Sequence, residues 1–339
     1  MPGFQLVRPK TRAMSAPTIT TPGSRSSVRL SLIIATYNRA DYLPRTLNSL
    51  TNQSLGSELF EIIVVNNNST DHTAEVCRSF AEAQPELNFT MVTEIRQGLS
   101  HARNCGINHA KGDYFAIIDD DELVNRDFLK SYYDFFGMYP TAAACGGVVT
   151  PLYEFPVPAW LSRYAERPIA GTFYYGEKIV PFPKHTYPGG GNMGIRRTAI
   201  ERYGMFNPEL GRTGNSPMGG EEKDLFARLR AGGEEIYYVP GAIIYHIIPE
   251  QKLTPEYFDR LTRMIGKSER VRTRNLGTAT YLKRLFSEGI KWGGTFVLAL
   301  GYTVQGEPIK GRYLIKMRWN ISRGLLGLCL LYTSPSPRD

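Results

Sequence analysis

One stretch, KGDYFAIIDDDE at residues 111–122, constrains the fold of this chain more than any other. An apolar run at 114–118 lies between Gly112 and three successive aspartates, Asp119, Asp120 and Asp121. Short apolar runs bounded by breakers mark strands buried on both faces, as in parallel sheets. Ligands of open α/β sheets bind beyond the carboxyl ends of the strands, which is where these aspartates fall. Two carboxylates ~4 Å apart repel by roughly 4 kcal/mol at an effective dielectric near 20, and a divalent cation removes that penalty. Mg2+ and Mn2+ take oxygen ligands and often share them with a phosphate. The competing reading is a solvated acidic turn, since aspartate is common in turns.

The same pattern repeats upstream. RLSLIIA at 29–35 reads as a buried strand ending in Thr36, Tyr37, Asn38 and Arg39. A helix is expected over 41–53, with Leu43, Leu47 and Leu50 at helical spacing and Pro44 in its first turn. EIIVV at 61–65 is a second strand, running into Asn66, Asn67 and Asn68. A helix over 73–83, a weaker strand over 88–95 and a helix over 98–110 then lead to the aspartate strand. This β-α-β-α-β order predicts an α/β fold with a Rossmann-like, doubly wound, mostly parallel sheet flanked by helices.

The second half is less regular. A helix is expected over 126–139, a strand over 142–150, a strand at 192–197 and a helix over 198–203. Residues 151–191, rich in Pro, Tyr and Gly, read as a long binding loop. Its Trp160, Tyr164 and Tyr174 either stack on a sugar or cover the edge of a core. EIYYVPGAIIYH at 235–246 reads as two short strands ending in His246.

GGEEKDLFARLRAGG at 219–233 predicts a helix over 221–231 bounded by glycines. Acidic residues in its first turn suit the helix dipole, and Arg228 four residues on answers Asp224. Glu222 shares a face with Leu225, Phe226 and Leu229 and has no cation at i+4. A carboxylate heading a buried stripe is costly to leave idle, and its raised pKa suits a general base. Glu221 is the second choice.

The 339 residues, 42% apolar and 21% charged, are those of a globular protein, and the net charge of +8 points to anionic partners. No zinc-finger spacing or aromatic–basic RNA motif is present, so nucleic acid is not an expected partner. Four scattered cysteines, Cys77, Cys105, Cys145 and Cys329, form no metal or redox motif and suit a cytoplasmic setting. Residues 1–28 read as a disordered basic leader and 332–339 as a disordered tail. Between them, 251–331 reads as a basic helical C-terminal extension. Either it packs as a solvated appendage, or it lies peripherally on an anionic membrane at the inner face.

Taken together, SLIIATYNR, VVNNNSTDHT, GLSHARNCGI, IIDDDE, GGGNMGIRR and GGEEKDL resemble, in order, the motifs of inverting glycosyltransferases of family 2. The resemblance implies a GT-A fold, with a nucleotide-sugar-binding half over 29–122 and an acceptor-binding half over 123–250. It places Thr36, Tyr37, Asn38, Asn66, Asn68, Arg103, Asp119 and Asp120 on the donor. Asn66 stands where the family usually has an aspartate. Asp121, with Asp119 or Asp120, and His246 would hold Mn2+ or Mg2+. Glu222 is the implied base, and Trp160, Gly191 and Asn192 the acceptor contacts.

The donor implied is a UDP-sugar, with GDP- or dTDP-sugars as alternatives, and the acceptor is a glycan or a lipid-linked glycan. Processive relatives carry a Gln-x-x-Arg-Trp motif. Here Arg318 and Trp319 are present but Ile315 holds the Gln position, so a non-processive enzyme is expected. The alternative is an inactive nucleotide-sugar-binding or membrane-scaffold relative. A nucleotidyltransferase would need a glycine-rich loop after the first strand, and ATYNRADYLP has none.

Overall fold

The computed structural model describes residues 19–20, 28–184, 186–213 and 219–328. The first half runs β1 (Ile19–Thr20), β2 (Leu30–Thr36), α1 (Leu43–Ser49), β3 (Phe60–Asn66), α2 (Thr73–Ala83), β4 (Phe89–Thr93), α3 (Leu99–His109) and β5 (Tyr114–Asp119). The second half begins with β6 (Glu122–Val124), α4 (Phe128–Met138), β7 (Ala144–Tyr153), α5 (Arg163–Ala170), β8 (Val180–Pro181) and β9 (Met193–Arg196). It continues with α6 (Arg197–Tyr203), α7 (Glu221–Ala231) and β10 (Ile236–Ile248). A 3-10 turn at Glu250–Leu253 leads into α8 (Pro255–Asn275), α9 (Thr278–Val304) and α10 (Pro308–Leu326).

One sheet holds the strands in the order β1-β4-β3-β2-β5-β9-β7-β10-β6, with β8 beside β10. The neighbours β4, β3, β2 and β5 are parallel, as are β7 and β10, while β9 runs antiparallel between β5 and β7. The chain winds outward from β2 to β4 and then returns to place β5 on the other side of β2. That reversal opens a crevice at the carboxyl ends of β2 and β5.

The apolar runs bury both faces, as a doubly covered sheet requires. Leu32, Ile34, Val64 and Ile118 pack against α1, α2 and α4 on one side, and Ile33, Val65, Phe115 and Ile117 against α3, α6 and α7 on the other. A third core cluster, with Trp160, Ile248, Phe258, Leu314 and Ile321, fastens α8 and α10 to the strand ends.

Three expectations need correction. The long segment after β7 is not all loop: Ser162 caps α5, its side chain accepting from the Ala165 amide, and Gly171 closes it in a left-handed conformation. The two strands expected at 235–246 are one, β10, whose register against β7 shifts between Tyr238 and Ile243, so the chain bends past Pro240 without leaving the sheet. Within the expected leader, Ile19–Thr20 pairs antiparallel with β4, supplying the sheet with an edge strand. The other leader residues up to 27 and the tail at 332–339 lie outside the described residues. No described helix is long and apolar enough to cross a membrane.

Candidate active site

The crevice at the sheet reversal is a cleft of about 230 Å3 lined by Thr36, Tyr37, Arg39, Asn67, Gln97, Arg212 and the three aspartates, among others. β2 delivers Thr36 and Tyr37 from one side and β5 the aspartates from the other, because the two strands run parallel and in register. Tyr37 is 41% exposed, a free ring at the cleft wall. The buried Thr36 hydroxyl has no hydrogen-bond partner.

The aspartates differ in surroundings. Asp119 turns toward Arg103, whose Nη2 lies 3.0 Å from its Oδ1. Burial and repulsion from Asp121 push the Asp120 carboxyl up to about 7 against the pull of Arg39. Burial works the same way on Asp121, but contact with His246 and the charges of Lys252 and Arg39 outweigh it and hold that carboxyl well below the usual range. Lys252 Nζ is 2.9 Å from Asp121 Oδ2 and 3.0 Å from His246 Nε2. The His246 Nδ1 faces the Ala170 carbonyl at 2.9 Å. A carbonyl only accepts, so Nδ1 carries the proton and Nε2 offers a lone pair.

This pair passes a test of fit for a cation. An aspartate oxygen and an imidazole nitrogen, the latter oriented from behind, already share one positive charge, and hard divalent cations accept such donors. Among the described residues, however, no three His, Cys, Asp or Glu side chains converge on a ready-made metal site. Asp121 and His246 are together; Asp119 faces away, toward Arg103.

A second cleft, of about 270 Å3, opens between α7 and α8 and is lined by Tyr187, Glu222, Ser268, Glu269 and Arg272, among others; Arg212 lines both clefts. Glycines frame α7 as expected, and the buried stripe along it is headed by Glu221 rather than Glu222. Glu221 is 3% exposed, and its Oε1 accepts from Arg103 Nη1 at 2.9 Å. Glu222 stands one step round the helix. Its Oε2 is buried without a partner, and burial, then repulsion from Glu221, push the carboxyl up to about 7. A carboxylate in that range, with one oxygen free of partners, can take a proton from a hydroxyl near neutral pH.

Arg103 connects the aspartate strand to α7. It is 1% exposed and gives its guanidinium to Glu221, Asp119 and the Gly190 carbonyl. The expected acceptor contacts are likewise taken up by the scaffold. Trp160 is buried, stacked on Tyr313 and packed against Phe258, because α8 and α10 cover its loop. Asn192 is 1% exposed; its amide donates to the Val148 and Ala242 carbonyls, tying β7 to β10. Gly191 passes so close to Glu122 that a Cβ there would lie 1.9 Å from its carboxylate.

Of the other expected donor residues, Asn38 (φ 52°) and Asn68 (φ 62°) adopt left-handed turns. Asn38 Oδ1 accepts from the Thr70 amide, and Asn66 Oδ1 from the Ser69 amide. Asn67 lines the cleft instead, alternation along the strand end having turned it to the opposite side from its neighbours. Arg39, Gln97, Arg212 and Lys252 were also missed. Arg39 follows the first turn directly, which is a usable signal; the others arrive from distant loops.

Comparison with known proteins agrees with this geometry. Residues 31–204 match the model of the family described as "Glycosyl transferase family 2". Over 118 residues the chain is 31% identical to glycosyltransferase GlyA of Streptococcus pneumoniae serotype 4, covering 35% of this chain and 16% of that protein. The fold is GT-A. It is shared with a mannosyltransferase from Pyrobaculum calidifontis solved with GDP-Man and Mn2+ (TM-score 0.56, 18% identity, 93% of this chain and 92% of that one). It is also shared with residues 1–349 of Staphylococcus aureus TarS in complex with UDP-GlcNAc (TM-score 0.51, 19% identity, 70% and 66%). The family model spans just over half of the chain and takes in the cleft-forming strands β2, β3 and β5, so the chain belongs to glycosyl transferase family 2.

Proposed function

We propose that this protein is a divalent-metal-dependent, inverting, non-processive glycosyltransferase. It moves one sugar from a nucleoside-diphosphate sugar to an acceptor hydroxyl during assembly of a polysaccharide or glycoconjugate. The supporting observation is the juxtaposition of two clefts that share Arg212, one floored by Asp119–Asp121 and the other bearing Glu222, whose buried Oε2 has no hydrogen-bond partner.

In this reading the donor base lies along Tyr37, with Thr36 offering a hydrogen bond, and Arg39 and Arg212 face the diphosphate. Asp121 and His246 would hold the metal, with Asp120 rather than the Arg103-bound Asp119 as the further carboxylate. A metal held there would neutralise charge on the leaving diphosphate. Glu222 receives the proton of the acceptor hydroxyl as that oxygen attacks the anomeric carbon from the side opposite the diphosphate. One displacement inverts the configuration. Arg103, gripping both Asp119 and Glu221, sets the distance between the donor end and the base.

UDP- and GDP-sugars head the donor candidates, since the two solved neighbours carry one of each; dTDP-sugars follow. The acceptor is a glycan or a lipid-linked glycan. The test is binding and hydrolysis of UDP-, GDP-, dTDP- and CMP-sugars with and without Mn2+. Metal-dependent turnover of one nucleotide class is expected. Failure of the folded protein to bind any donor sinks the proposal, and metal-dependent binding that supports no turnover with any acceptor favours the inactive relative.

A further inference from the structure

We propose that the outward face of α9 is a docking surface for an anionic lipid bilayer, on which the helix lies in the plane of the headgroups. The proposal is independent of glycosyl transfer. α9 is 27 residues and about 40 Å long. At 100° per residue, Leu282, Phe286, Ile290, Val297, Leu300 and Val304 fall within one arc of roughly 80°. All six are exposed, Phe286 by 74% and Val304 by 82%. Glu288, Thr295 and Ala299 occupy the opposite, buried side, so α9 packs on the protein by its more polar face and presents its apolar one outward. Soluble monomers rarely expose an apolar patch of this extent unless something covers it.

Charge selects the occupant. Between residues 251 and 328 there are fifteen Lys and Arg against five Asp and Glu, a net +10 in a chain whose total is +8. The C-terminal region therefore carries more net positive charge than the chain as a whole, and the remainder taken together is slightly acidic. Glu288, facing inward on α9, is neutralised by Arg284 and Arg318, while Lys283 and Lys291 stand exposed. An apolar face flanked by exposed cations matches a surface of anionic headgroups over acyl chains. Gly289 and Gly293, four apart and open to solvent, would let another helix approach, so self-association is the alternative to exclude. Two copies of a +10 region repel each other, which favours lipid. Since no described helix can cross a bilayer, the contact is peripheral.

The experiment sediments the full-length protein with vesicles of phosphatidylcholine alone, and of phosphatidylcholine mixed with phosphatidylglycerol, at low and high salt. Pelleting with the anionic vesicles, weakened by salt, is expected. Phe286→Glu combined with Leu300→Glu should reduce the apparent affinity at least about tenfold while leaving the melting temperature unchanged, because both side chains are exposed. Lys283→Gln and Lys291→Gln should each weaken it about fivefold, and only with the anionic vesicles. Three results would overturn the proposal: no pelleting, equal pelleting of the Phe286/Leu300 variant, or a dimer in light scattering that those two substitutions split while no vesicle binding is seen.

Discussion

Glu221 and Glu222 are adjacent on one helix, yet their partners give them opposite chemistry. Glu221 is held at one oxygen by the Arg103 guanidinium, whereas burial and the neighbouring Glu221 push the Glu222 carboxyl up to about 7. A base works only when deprotonated, so transfer by the wild type should fall about tenfold per pH unit below ~7. Glu222→Gln should lower the rate by ~10²–10⁴-fold and leave donor binding intact. The same group makes a stability prediction. A carboxyl whose folded pKa lies above its unfolded value binds the proton more tightly when folded. Its stabilising effect is full below the unfolded pKa, near 4.5, and is lost as pH rises through about 7. Glu222→Gln should therefore raise the melting temperature at pH 8 and leave it unchanged at pH 4, a pattern that calorimetry resolves. Lys252 gives the second residue-scale prediction. Hydrogen bonds to charged groups contribute ~1.5–3 kcal/mol, and this ammonium already satisfies Asp121 and His246. Lys252→Ala should tighten Mn2+ binding about tenfold or more, read from the free Mn2+ signal in paramagnetic resonance; unchanged binding would mean that the two cations do not compete. The cleft aspartates and Thr36 and Tyr37 were legible in the sequence because they end apolar runs, whereas His246 lies inside β10 and was marked only by the family resemblance. Lys252, Gln97 and Arg212 were not, since nothing local marks a loop residue that the fold carries to a distant strand end. Asn192 and Gly191 show that a polar residue or a glycine in a motif can serve a neighbouring element: Asn192 ties β7 to β10, and Gly191 passes against Glu122.

At the scale of elements, periodicity gave α2 and α7 to the residue and placed β2, β3 and β5 within a residue or two. It gave α5 and the unbroken β10 poorly. α5 holds Pro168 within eight residues, and its stability comes from a cap and from packing beneath α8 and α10 rather than from local preference. β10 bends at Pro240 while the ladder to β7 resumes at Ile243, a tertiary pairing that local sequence does not encode. Glycines in the C-terminal helices separate packing from propensity. A Cβ on Gly324 would lie 2.2 Å from the Arg263 carbonyl, so α8 and α10 touch backbone to backbone. Alanine is favoured over glycine in a helix by ~1 kcal/mol, but overpacking costs ~1–3 kcal/mol and here the obstacle is main chain. Gly324→Ala should lower the melting temperature. Gly289 has nothing within 4 Å, so Gly289→Ala should raise it. If the two changes shift the transition the same way, the close α8–α10 contact is absent in solution.

For the molecule as a whole, the halves expected to meet at residue 122 are not separate packing units, because the cores run across that boundary. Leu32 and Val64 share a cluster with Val149 and Ile244, and Ile33 and Val65 share another with Ile195 and Leu229. The third cluster repeats this at the C-terminus, where Leu314, Met317 and Ile321 of α10 close over Trp160 and Ile248. The basic helices are thus no detachable appendage: removing α10 would bare Trp160 and the end of β10, and a chain cut there should aggregate rather than merely lose a surface. A single core substitution tests this without truncation. Leu314 is 2% exposed, and Leu→Ala at such sites costs ~2–5 kcal/mol. If the three clusters unfold together, Leu314→Ala shifts one calorimetric transition down by several degrees and leaves it single. If α8–α10 form an independent unit, the substitution instead splits off an early transition, and the aspartate cleft, joined to Leu314 through β10, α5 and the turn bearing Lys252, keeps its nucleotide-sugar affinity across that first step. Loss of donor binding together with the single transition is the expected result, since the strand that ends in the third cluster is the one that holds His246 against Asp121.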